Sequence, residues 1–96
     1  MSKEEILDIL RKYKQQMATQ YGVETIGLFG SYAKGAANNN SDIDILVKLK
    51  EPKYEWLAGL QIFLSQQFNK RVDIVREGKH LSERFIVKVK KDLIYA

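Results

Sequence analysis

No cysteine occurs among the 96 residues of this chain. That excludes a disulfide framework, a thiolate zinc site and a cysteine nucleophile, and it suits a reducing cytoplasm. Proline appears once, at Pro52, and glycine six times, so neither a fibrous repeat nor a proline-rich linker is present. No stretch approaches the roughly 20 apolar residues that span a bilayer. The opening MSKEEILDILRKYK mixes charged with apolar residues where a signal peptide would have an apolar centre. Asn39-Asn40-Ser41 matches a glycosylation sequon, which means little without an export signal. A soluble, cytoplasmic protein that does not engage a membrane is expected.

What is there describes an ordinary folded protein: 45% hydrophobic and 29% charged residues, with a formal net charge of +4. A chain of this length buries one modest core, so residues 1–96 are expected to form a single domain. The positive balance suits a partner bearing phosphates or carboxylates. Its lysines and arginines are scattered from Lys3 to Lys91, however, so no direct binding to nucleic acid is expected.

Ser2 and Glu5 have the spacing of a capping box, and Ile6, Leu10, Tyr13 and Met17 recur at helical spacing until Gly22. This predicts an amphipathic helix over 3–20. VETIGLF (23–29) predicts a strand running into a Gly30-Ser31 turn, then a short helix over 31–36 and a loop at Asn38–Ser41. SDIDILVKL (41–49) alternates as a strand, with Ile43, Ile45, Val47 and Leu49 on one face and Asp42 and Asp44 on the other. Pro52 opens a helix carrying Trp56, Leu57, Leu60, Phe63, Leu64 and Phe68, most simply core residues, and RVDIV (71–75) resumes a strand that Asp73 interrupts. Leu81, Phe85, Val89 and Leu93 recur every four residues and favour a last helix over 81–95, although FIVKVKK also alternates. The expected class is α+β: a mixed sheet with helices packed on it, in the order α-β-α-β-α-β-α.

Two carboxylates at i and i+2 on one strand face have Cα atoms about 6.7 Å apart, close enough for both side chains to reach one or two divalent ions. A cluster of oxygen donors without His or Cys points to magnesium and to phosphoryl or nucleotidyl chemistry, with Asp73 as a third ligand. Gly30-Ser31 between a strand and a helix suits a phosphate. Gly30 and Gly35 have P-loop spacing, but Ala36 and Ala37 stand where that motif needs Lys and Ser or Thr. An EF-hand fails as well, because its glycine and terminal glutamate are missing.

Gly30-Ser31-Tyr32-Ala33-Lys34-Gly35 followed by Ser41-Asp42-Ile43-Asp44-Ile45-Leu46-Val47 closely resembles the GSxARGxxxxxSDxDLxV motif of the polymerase-β-type nucleotidyltransferase superfamily, in particular its minimal nucleotidyltransferases. The resemblance implies a small domain like the polymerase-β palm. It makes Gly30, Ser31 and Lys34 nucleotide-phosphate contacts, and Asp42, Asp44 and Asp73 catalytic ligands of two Mg²⁺ ions, with Asp73 also the base for the acceptor hydroxyl. Lys34 stands where the motif usually has Arg and cannot reproduce a bidentate guanidinium contact. The resemblance further implies transfer of AMP from ATP to a tyrosine hydroxyl of a HEPN-domain ribonuclease toxin, which the protein would neutralise as an antitoxin in a hetero-oligomer. Two other functions are compatible with the residues: a binding module that masks its partner without catalysis, and an enzyme that modifies a small hydroxylated molecule.

Overall fold

The computed structural model describes residues 1–96. Its elements are α1 (Lys3–Lys12), α2 (Lys14–Tyr21), β1 (Val23–Phe29), α3 (Gly30–Lys34), β2 (Ile43–Leu49), α4 (Tyr54–Phe68), β3 (Val72–Arg76), α5 (Glu83–Lys90) and β4 (Ile94–Tyr95). The fold is α+β, as expected. No helix is long and apolar enough to cross a membrane.

The capping box forms: the Ser2 hydroxyl accepts from the Glu5 N–H, and the Glu5 carboxylate accepts from the Ser2 N–H at 3.0 Å. The bond holds the Glu5 carboxyl below its ordinary pKa range. Where one helix was expected over 3–20, two segments meet at Tyr13, although its N–H still donates to Ile9 and its carbonyl still accepts from Met17. The direction of the chain is thus largely kept while apolar residues of both segments reach the core. Gly22 ends α2 in the left-handed region, at φ 63°.

The four strands are ordered β3-β2-β1-β4. β1 is antiparallel to β2 and β4, and β2 runs parallel to β3, so α4 serves as the crossover that parallel neighbours require. Ile43, Ile45 and Val47 of β2 are fully buried, as are Leu60 and Leu64 of α4 and Ile6, Leu10 and Met17 of α1 and α2. They form one cluster with Ile26 and Leu28 of β1. Trp56 and Phe63 pack against that cluster and Phe68 is buried within it. The expected core reading of these aromatics therefore holds.

The expected last helix over 81–95 is shorter. α5 stops at Lys90, and Ile94 and Tyr95 pair with Leu28 and Gly27 as a fourth strand. The Ala96 N–H adds a bond to Ile26 at 2.9 Å. The outer edge of β1 would otherwise hold unpaired backbone groups, and the chain turns back to satisfy them. Leu93 still packs, now against the backbone of Gly27, where any side chain would overlap its methyl group.

Gly22 meets two demands at once, a positive φ and the approach of the Trp56 ring to its Cα. Gly22→Ala is expected to destabilise the domain by at least about 2 kcal/mol, combining left-handed strain with overpacking. Urea unfolding measures this, and a midpoint equal to that of the wild type would refute it.

Candidate nucleotidyl-transfer site

β2 and β3 run in parallel register with Asp44 directly opposite Asp73, and β1 and β2 pair with Phe29 opposite Asp44. Asp44 is thereby fixed between the end of β1 and the third carboxylate. Asp42 lies one step before β2, where the Ile43 N–H donates to the Arg71 carbonyl at 3.1 Å. Three of the six residues singled out from sequence are therefore gathered at one end of the sheet, on the face away from the main core.

Gly30 follows directly from β1 with φ 77°, and its Cα lies against the Asp44 carboxylate, so that a Cβ there would overlap Asp44 Oδ2 and Cγ. Only glycine meets both conditions. Gly30 and Asp44 both line a cleft of about 270 Å³. Phe29, Phe85 and Val89 supply its apolar wall; Gly30, Lys34, Asp44, Lys88 and Asp92 line the rest. The Phe29 and Phe85 rings meet edge to face, 6.4 Å between centroids. Lys34 Nζ sits 3.5 Å from Asp92 Oδ2, at one side of the cleft.

Gly30, Lys34 and Asp44 therefore share the cleft, whereas Asp42, Asp73 and Ser31 are not among the residues that line it. The Ser31 carbonyl closes the short helix by accepting from the Ala36 N–H at 2.9 Å. Tyr32, a neighbour of the turn, is buried in the core. His80 stands well apart, its Nδ1 3.2 Å from an Arg76 nitrogen.

Burial raises the pKa of Asp44, and the nearby Asp73 and Asp42 carboxylates raise it further. Arg71 lies among these charges: its Nε is 3.7 Å from Asp42 Oδ2 and 3.7 Å from Asp73 Oδ1. As they stand, no three acidic or histidine side chains converge on a common point that would hold a metal ion. The donor set nevertheless fits a hard cation, being all oxygen, mutually repelling at Asp44, and already paired with one positive charge at its outer members.

Sequence reasoning missed Arg71, Phe85, Lys88, Val89 and Asp92 as neighbours of the site. Arg71 had a local signal, since it stands two residues before Asp73. Phe85, Lys88, Val89 and Asp92 have the i, i+3, i+4, i+7 spacing of one helical stripe, but which surface that stripe meets is a tertiary fact.

A glycine turn beside paired strand carboxylates agrees with the family to which the chain is similar. The family model described as "Nucleotidyltransferase domain" matches residues 10–96, and the chain belongs to that family. Among its relatives is the protein adenylyltransferase MntA of Thermococcus cleftensis, 36% identical over 93 residues, covering 96% of this chain and 93% of that protein. A solved candidate minimal nucleotidyltransferase is 32% identical, with a TM-score of 0.80 over 98% of this chain and 95% of its own. A toxin–antitoxin structure with AMP-PNP contains a similar chain at 25% identity and a TM-score of 0.69, over 99% of this chain and 72% of that one. The chain is accordingly a minimal nucleotidyltransferase.

The raised pKa of Asp44 has a consequence for stability. A folded pKa above the unfolded value contributes stability that is present below the unfolded pKa and lost as pH rises through the folded one. Ionised Asp44 therefore costs stability at neutral pH. In metal-free buffer Asp44→Asn is expected to melt above the wild type at pH 7, with the difference shrinking as pH falls through the raised folded pKa and gone below the ordinary value of 3.8. Thermal melts at both pH values decide, and a variant that melts below the wild type at pH 7 contradicts the assignment.

Proposed function

We propose that this protein transfers AMP from ATP to a tyrosine hydroxyl of a HEPN-domain toxin and acts as the antitoxin of that pair. The observation that carries the reading is the placement of Asp44 opposite Asp73 on neighbouring strands, with the Gly30 turn against Asp44. Its similarity to an MntA protein adenylyltransferase supports adenylyl transfer, and its likeness to a chain of a toxin–antitoxin structure with AMP-PNP supports ATP as donor and a toxin as partner.

In this reading Asp42, Asp44 and Asp73 hold Mg²⁺. When bound, Mg²⁺ supplies neutralisation of the triphosphate and a lowered pKa for the attacking hydroxyl. The Gly30-Ser31 turn and Lys34 orient the triphosphate along the cleft. Asp73 accepts the proton of the acceptor hydroxyl as the hydroxyl oxygen forms a bond to the α-phosphorus; the bond from the α-phosphorus to the α,β-bridging oxygen breaks and pyrophosphate leaves with that oxygen. Asp73 is about half exposed on the edge strand β3, so an acceptor carried by another protein can reach it without entering a deep pocket.

That exposure also favours a protein acceptor over a small one. None of the three surface depressions is lined by Asp42 or Asp73, and a small acceptor would need such a pocket to be held in place.

The test is the intact mass of a HEPN-domain partner after incubation with this protein and Mg²⁺-ATP. A gain of one or more AMP units is expected. The Asp42→Asn, Asp44→Asn double variant is expected to lower the rate by at least about 100-fold, since losing even an outer partner of a metal ligand typically costs about 10–100-fold. No gain in mass, together with equal neutralisation of the toxin by both versions, would replace this reading with inhibition by contact.

A further inference from the structure

Arg71 has a position that the transfer reaction does not by itself require. It directly precedes β3, two residues before Asp73, and the bond from the Ile43 N–H to its carbonyl fixes its backbone beside Asp42. Its Nε then lies 3.7 Å from an oxygen of each outer carboxylate, and Asp42 and Asp73 have no other ion-pair partner. The neighbouring cations are engaged elsewhere: Lys70 donates to the Asn39 carbonyl at 2.9 Å, and Lys34 faces Asp92.

The hold is loose. Both contacts are too long for hydrogen bonds, and the Arg71 side chain is 77% exposed, free to swing into water at little cost. A guanidinium there offsets repulsion between the carboxylates, yet it occupies their charge without binding tightly enough to exclude a divalent ion that coordinates oxygen directly.

We propose that Arg71 is a resident counter-cation of the carboxylate cluster, displaced when a divalent cation binds, so that its charge sets the Mg²⁺ concentration at which the site fills. This rests on the reading that Asp42, Asp44 and Asp73 hold Mg²⁺. Arg71 is thus a positioning residue. Removing its charge leaves the carboxylates more repelling without metal and more receptive to it.

The experiment is a Mg²⁺ titration of the full chain without nucleotide, read by melting temperature and by calorimetry, for the wild type, Arg71→Gln and Arg71→Lys. With its exposed side chain Arg71 can be replaced without disturbing the core. Without metal, Arg71→Gln is expected to melt below the wild type, and its half-saturating Mg²⁺ concentration to fall roughly three- to fivefold, the scale of losing two weak surface ion pairs. Arg71→Lys, which keeps the charge, is expected to stay near the wild type in both. Equal half-saturation in the wild type and Arg71→Gln, with both responding to Mg²⁺, overturns the proposal and leaves the metal site standing. A higher requirement in Arg71→Gln overturns it too, making Arg71 an aid to binding. No response to Mg²⁺ in any version removes the metal-site reading, and this proposal with it.

Discussion

The parallel pairing of β2 with β3, with Asp44 opposite Asp73, is the constraint on which the other features of this protein depend. A slip of one residue in that register would turn both Asp44 and Ile45 to the wrong face and bury a carboxylate where Ile43, Ile45 and Val47 now pack. The apolar side of β2 therefore specifies the placement of the acidic side. Parallel pairing in turn requires a crossover, and α4 supplies it while contributing Leu60, Leu64 and Phe68 to the same core. The core and the site are thus two faces of one strand.

The remaining parts of the site follow from that placement. Once Asp44 is fixed beside the end of β1, the next residue of the chain must come close to a carboxylate, and Gly30 is the residue type that can do so with a positive φ. Burial, and then repulsion from Asp73 and Asp42, raise the pKa of Asp44, and Arg71 lies 3.7 Å from an oxygen of both Asp42 and Asp73. A site assembled in this way is strained electrostatically before any ligand arrives, which suits a function in which cations and a triphosphate are bound together.

Much of this was legible in the residues because the informative signals were local. The Ser2–Glu5 box, the Gly22 stop, the strand at 23–29 and the alternation of Asp42 and Asp44 against Ile43 and Ile45 depend on neighbours within a few positions, and the strands expected at 23–29 and 41–49 formed within two residues of those bounds. What escaped was non-local. β4 forms because β1 has a free edge, which no pattern within 81–96 records; its residues follow an apolar spacing that reads as helix up to Leu93. The cleft escaped for the same reason, since Phe85, Lys88 and Val89 meet Phe29 and Asp44 only after α5 docks. The Ser31 side chain is not among the residues that line the cleft.

The central claim is that three aspartates from two neighbouring strands act together on a divalent cation beside a bound nucleotide. Its most direct test is anomalous scattering from crystals grown with Mn²⁺ and AMP-PNP. The account predicts metal peaks within about 2.3 Å of carboxylate oxygens from Asp42, Asp44 and Asp73, with Arg71 withdrawn from between them. Nucleotide bound in the cleft with metal held away from these carboxylates would contradict it.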